Sequence, residues 1–341
     1  MRILCSTLIC SIFASSAYAI DPPALSVAKK SGAIVVKAGD QIVTKYHHGE
    51  SVAKPYFWPL HAPDGTPVTR DWPMVMIKKD GSETTDHVHQ KSVWFCHGDI
   101  IPEGIELKKR SVDKKVKGVD FWSEAANHGR IVCVNVGDVK QIAPTHVSLS
   151  TTNEWRTPDG VKILDETRVI HFHSLANGYL IELDIDLNAS VCPITFGDTK
   201  EGSLGVRVND AMRTLQKDGG TVTSADKTAA KAPAKENLVM WGQFADWHDY
   251  SGQVNAKSAG LAIFDDPKNA YRAAWHTRAY GLMAANPFGR AHSGFPAQKG
   301  KTDLVTLKKG EHLKLHYGVY AHTGDVESGA VAATFEKFKA K

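Results

Sequence analysis

Beyond its first twenty residues this 341-residue chain has no long hydrophobic run. That lack excludes a helical membrane protein, whose spans need about 20 consecutive apolar residues. Cysteine is scarce as well: Cys5 and Cys10 fall in the opening segment, and only Cys96, Cys133 and Cys192 follow, widely spaced. Three separated thiols do not make a disulfide framework. One bridge is the most they allow, and Cys96 and Cys133, in apolar strand-like runs, read as buried free thiols. Charge of one sign is also missing. Lys and Arg number 41 against 37 Asp and Glu, and lysine pairs such as Lys78-Lys79 and Lys308-Lys309 are scattered. With no basic stripe interleaved with stacking aromatics, nucleic acid is not an expected partner.

What the opening segment does have is a secretory pattern. Arg2 precedes the short apolar run Ile3 to Phe13, and Ala17-Tyr18-Ala19 forms a small-residue cleavage site. Ile9 before Cys10 argues against a lipoprotein anchor. The expectation is a signal peptide over 1–19 and a single secreted or periplasmic domain over 20–341, with no membrane partner. Some 320 residues are enough to bury a large core.

Strand patterns fill the rest. Ala33–Lys37 and Gln41–Lys45 flank Ala38-Gly39-Asp40 as a hairpin. From Ile181 to Leu187 apolar residues alternate strictly with acids, the mark of a half-buried strand, paired through Ala176-Asn177-Gly178 with 161–172. Further strands are expected at 92–95, 131–134, 147–151, 238–244, 260–264, 271–276 and 313–320. Helices are expected only at 326–339 and, briefly, 209–215. The stretch 217–235, almost without large apolar residues, reads as a mobile surface loop. Many short strands between regular turns predict a mainly β fold, a large antiparallel β-sandwich with few short helices.

Four polar, aromatic-rich clusters carry the candidate chemistry. In Asp86–Asp99, a strand would put His87, His89 and Lys91 on one face. Two imidazoles so placed, completed by His97 or Asp99, suit either a divalent metal or a metal-free polar groove. His171 and His173 repeat the spacing but read as the solvated face of an ordinary strand. In Lys200–Val208, Glu201 stands as a general base six residues before Arg207. The other two are Trp241–Gly252, with Asp249, and Trp275–Gly281, with Trp275, His276 and Arg278, followed by Asn286. Aromatic rings beside charged and amide groups are what a sugar groove needs, and core packing is the bland alternative.

At these clusters the sequence resembles the secreted bacterial PmoA-like family, labelled "methane oxygenase PmoA" and essentially a domain of unknown function. The resemblance rests on Pro55–Leu60, Thr69-Arg70-Asp71, Asp86–Asp99, Gly118–Trp122, Glu201–Val208, Trp247–Gly252, Trp275–Gly281 and Asn286–Gly289. It spans nearly the whole mature chain. The family's first histidine pair is often His-x-His-His; here Gln90 takes the last place, which weakens a metal site of adjacent histidines. A true methane oxygenase subunit crosses the membrane with many apolar helices, so that activity is rejected. The family looks similar to galactose-mutarotase-like supersandwiches, which implies sugar handling on a concave face.

The expectation is therefore a carbohydrate-active protein binding a small-molecule or oligosaccharide substrate. His87, His89, His97 and Glu201 would transfer protons, and Arg70, Lys91, Asp99, Arg207, Asp249, Trp275, His276, Arg278 and Asn286 would hold the substrate. A divalent metal at His87 and His89 is the one cofactor considered; no nucleotide cofactor is expected. A non-catalytic sugar-binding module and a metal-dependent oxidase are the alternatives.

Overall fold

Alternation along Gly178–Asn188 builds the centre of the molecule: Ile181, Leu183, Ile185 and Leu187 are buried on one face while Asp184 and Asp186 point to water on the other. The computed structural model describes residues 21–72, 74, 86–215, 217, 219–235 and 238–340. Residues 1–19, expected to be a signal peptide, and Lys78-Lys79 lie outside them. Among the described residues the strands form three antiparallel sheets. The larger runs in the order Ala229–Lys231, Thr221–Ser224, Trp247–Val254, Lys257–Asp265, His312–Thr323, Gly178–Asn188, Lys162–Ser174, His146–Arg156 and Arg130–Val136, with Lys140–Ala143 also on His146–Arg156. The smaller runs Leu25–Lys30, Ala33–Ala38, Gln41–His47, Tyr56–Leu60, Val93–His97, Gly202–Arg207, Leu282–Asn286 and Ala274–Trp275. Ile100–Pro102, Ile194–Phe196 and Val305–Leu307 make a third, small sheet.

The two large sheets pack face to face. Phe57 and Phe95 of the smaller sheet meet Phe172, Trp155 and Tyr317 of the larger, with ring centroids 6.2–6.3 Å apart. The expected mainly β sandwich is what forms. The helix Val331–Lys339 covers part of the larger sheet's outer face, burying Val331, Phe335 and Phe338 against Leu180, Phe264 and Tyr320. No helix among the described residues is long and apolar enough to cross a membrane.

Several local expectations change. Residues 217–235 carry the strands Thr221–Ser224 and Ala229–Lys231 rather than a plain loop. Residues 238–244 form turns, with a single bridge from Phe244 to Ala274, and 271–276 keep only Ala274–Trp275 as strand. The expected helix at 209–215 is a 3₁₀ turn, Asp210–Met212, capped by the Asn209 side chain. Cys96, Cys133 and Cys192 are all free, and Cys133 is only partly buried.

Candidate active site

Parity along two strands decides which groups face the cavity. In Val93–His97, Phe95 points between the sheets, and His97 shares its direction. In Gly202–Arg207, Leu204 opposes Phe95, so Ser203, Gly205 and Arg207 face outward, and Glu201 precedes them in the same phase. Loops close over this outer face and leave a cavity of about 530 Å³ lined by His87, His89, Asp99, Glu201, Tyr280 and neighbouring loop residues. Glu201 and the first histidine cluster, 114 residues apart at His87, thus meet in one cavity.

His87 and His89 do not sit on a strand. His87 takes φ 51°, in the left-handed region, and Gln90 N donates to His87 O at 2.9 Å, so 87–90 is a turn. Arg70 holds it: one terminal nitrogen donates to Asp86 O (2.9 Å) and the other to His87 O (2.9 Å) and Gln90 O (3.1 Å). Burial, with Arg207 nearby, pulls the Arg70 pKa down to about 10. Asp86 is the hub. It meets Arg207 at 3.1 Å and Arg70 at 3.3 Å, and its Oδ2 lies 2.7 Å from His87 Nδ1. Burial works against its charge, but His87, Arg207 and Arg70 together hold its carboxyl well below the usual range. This fixes the His87 tautomer: Nδ1–H donates to Asp86, leaving Nε2 for chemistry. The ring lies flat on Tyr280, 5.1 Å between centroids at 8°. His89 meets His87 edge to face at 5.8 Å. Burial first, then Lys54, lowers the His89 pKa to about 4, so at neutral pH it is an uncharged hydrogen-bonding group.

Five carboxylates line the cavity, and four are tied to backbone amides. Asp99 accepts from Gly118 N (2.7 Å), Asp113 from Lys115 N (2.9 Å), and Asp120 from Trp122 N (2.8 Å) and Ser123 N (3.0 Å). Asp198 accepts from Arg290 N (2.7 Å), His292 N (2.6 Å) and Ser293 N (2.9 Å). These acids shape the wall. Glu201 is held differently, by side chains: the Lys200 Nζ cation lies at 3.0 Å and His276 Nδ1 at 3.9 Å, the imidazole itself uncharged at neutral pH because burial lowers its pKa to about 4. Burial acts to raise its pKa, but His276 and Lys200 outweigh it, and the net shift is downward. Glu201 is therefore an ionised carboxylate, about a third exposed, facing the cavity.

Other expected site residues are not in the cavity lining. His97 is buried against Phe288, and its Nε2 donates to Gly197 O (2.8 Å); burial lowers its pKa to about 4. Lys91 pairs with Glu124 at 2.5 Å and lies over the Trp72 ring. Arg207 is fully buried behind Gln90 and Tyr280. Arg278 sits 5.5 Å from the Tyr280 ring. Trp275 is in the core, stacked on His248, because it opposes Ala285 on the inward face. Asp249 is buried on the other large sheet, paired with His322 at 2.8 Å. His276 and Asn286 act from behind: His276 bonds Lys200 O, and Asn286 donates to Thr199 O. The sequence reading missed Asp86 as the partner of His87, and Asp198, Lys200 and Tyr280 as lining. Asp86 stands beside His87, yet an i,i+1 pair signals nothing on an expected strand, whose neighbours face apart. Among the described residues no group of three or more His, Cys, Asp or Glu side chains is arranged to hold a metal ion, so the pair His87–His89 lacks a third protein ligand.

A family model, described as a family of unknown function (DUF6807), matches residues 33–336. No curated protein matches the sequence. Solved structures similar to the chain include the galactosidase domain of an alpha-galactosidase–sucrose kinase, with 7% identity and TM-score 0.48 over 88% of this chain and 42% of that one. A putative aldose 1-epimerase from Escherichia coli K12 has 14% identity and TM-score 0.38 over 88% and 99%. A galactose mutarotase-like protein from Lactobacillus casei ATCC 334 has 10% identity and TM-score 0.37 over 87% and 100%. The chain spans about two fifths of the first of these.

Proposed function

Since the chain belongs to the DUF6807 family, whose function is unknown, we propose from its own residues that it is a carbohydrate-active enzyme working by proton transfer. The observation that carries this reading is the meeting, in one cavity, of the ionised Glu201 with the Asp86-oriented His87. Such a pair is a general base opposite a general acid. On a free sugar, Glu201 takes the anomeric hydroxyl proton while protonated His87 gives one to the ring oxygen. The C1–O5 bond opens, and reversal after rotation returns the other anomer. On a glycoside oxidised to a keto sugar, Glu201 removes the C–H proton acidified by the carbonyl, and His87 protonates the departing oxygen as its bond to carbon breaks. His89, uncharged, donates a hydrogen bond to the same substrate. Secretion or periplasmic location, and the PmoA-like resemblance, belong to this proposal.

A sugar-binding module fits less well, because its stacking platform is missing at these residues. Trp275 is fully buried, Trp122 is only 2% exposed, and the Tyr280 ring has the Arg207 guanidinium at 4.8 Å and the His87 ring at 5.1 Å. The deciding experiment is NMR of the purified protein against free aldoses, glycosides and keto-glycosides. Time-dependent product supports the enzyme; contact without turnover across the panel moves the reading to a binder.

A further inference from the structure

His171, read from sequence with His173 as a solvated face, lines a second cleft of about 430 Å³ on the outer face of the larger sheet. It is remote from the first, on another sheet, and is lined by His146, His171, Glu182, Asp184, Asp266 and His316, with Lys268 as its lysine. The register assembles it. His146 opposes His173 on the neighbouring strand, His171 opposes Glu182, and Asp184 opposes His316, so all project to one side. His146 Nε2 and His171 Nδ1 share a hydrogen bond of 3.0 Å, one of the two nitrogens carrying the proton. The other nitrogen of His171 faces Asp184 Oδ2 at 3.5 Å. His173 stacks on His146, 4.0 Å between centroids, and its Nε2 lies 3.3 Å from Glu182.

We propose that this cleft is a binding site for a divalent first-row transition-metal ion, held by His146 Nε2 and His171 Nδ1. Two nitrogens bound about 2.1 Å from one ion at about a right angle sit about 3.0 Å from each other, which is their spacing here, and the ion takes the place of the proton they share, which leaves to solvent. A carboxylate on the far nitrogen of a ligating imidazole is the usual outer partner, and Asp184 occupies that place for His171. Neutral imidazoles select nickel, copper or zinc over calcium or magnesium, and Glu182, Asp184 and Asp266 against Lys268 give the cleft a negative balance that favours a cation. Water completes the coordination, since no three protein ligands converge among the described residues. The stacking of His173 and the strand backbone hold the two ligands in place before the ion arrives.

The test is calorimetric titration of the untagged, chelator-stripped full chain with Ni²⁺. The expected result is one saturable site, weakened at least about tenfold in His146→Gln and in His171→Gln, and about 10- to 100-fold in Asp184→Asn. His89→Gln in the first cavity, and His312→Gln on the same sheet face, are expected to bind as the parent does. With Cu²⁺ in the unaltered chain, electron paramagnetic resonance is expected to show two coupled imidazole nitrogens, a readout that needs no variant to fold. No saturable binding, binding unchanged in both His146→Gln and His171→Gln, loss in His89→Gln, or a copper spectrum without nitrogen coupling would each overturn the assignment.

Discussion

A Cβ placed on Gly98 would lie 2.8 Å from the Cβ of Glu201 and 2.9 Å from its carbonyl oxygen, while Gly98 N donates 2.7 Å to that same oxygen. The absence of a side chain at 98 is thus what lets the carboxylate approach the strand end. Gly98→Ala is expected to cost about 1–3 kcal/mol of stability through overpacking. It is also expected to displace Glu201 and lower turnover at least about tenfold, read by chemical denaturation and by the rate on the sugar that the NMR panel identifies.

Glu201→Gln keeps the shape of the side chain and removes its charge. Turnover is expected to fall by about 10²–10⁴ with substrate contact largely kept. Because the native carboxyl is shifted downward, the parent's rate should hold through mildly acid pH. It should fall only as the pH drops below the ordinary glutamate value of about 4.3. A variant with the parent's rate would remove Glu201 from the mechanism.

Asp86→Asn leaves two buried guanidiniums, Arg70 and Arg207, sharing a neutral amide. The native pKa of Asp86 is depressed, so its contribution to stability is complete above the ordinary carboxylate value near pH 4 and is lost as pH falls through the lower native value. In urea denaturation the parent should lose stability across that acid window, and the variant should show a smaller loss there. The variant should also turn over at least about tenfold more slowly, since His87 loses its orienting partner. An unchanged pH profile would count against this account.

The pair of His322 and Asp249 behaves with the opposite sign. Burial lowers the His322 pKa, but Asp249 and the Thr323 carbonyl outweigh it and the net shift is upward. Its contribution is complete below the unfolded histidine value near 6.5 and fades as pH rises through the native pKa. Both side chains are fully buried, so His322→Ala should cost about 3–5 kcal/mol. Gly329 closes over the imidazole, so amide exchange over 326–339 should accelerate in the variant. Equal exchange in parent and variant would show that the pair does not anchor the C-terminal helix.

Sheet architecture was legible because long strands advertise themselves. Ile181 to Leu187 alternates without a break, and 161–172 and 313–320 carry the same signal, so their pairing is the fold's centre. The site was half legible. His87, His89, Asp99 and Glu201 were singled out and do line one cavity. Their setting was not readable, because His87-x-His89-x-Lys91 imitates a strand's two-residue period while Arg70 pins the segment as a turn from 17 residues away. The tryptophans misled for a related reason. Trp275 looks the same in sequence whether it faces a sugar or the core, and only its register opposite Ala285 sends it inward. His171 and His173 needed His146 on the adjacent strand to become a cluster, a relation fixed by pairing rather than by spacing.

The outermost strands of the two large sheets carry one more implication. Ala229–Lys231 has three residues and is followed by Pro233, and Ala274–Trp275 has two. Leu25–Lys30, at the other end of the smaller sheet, finishes in Lys29 and Lys30. A strand that short, or one closing in adjacent lysines, gives an incoming chain little unpaired backbone on which to extend a ladder. These three rims thus discourage stacking of one copy onto the next.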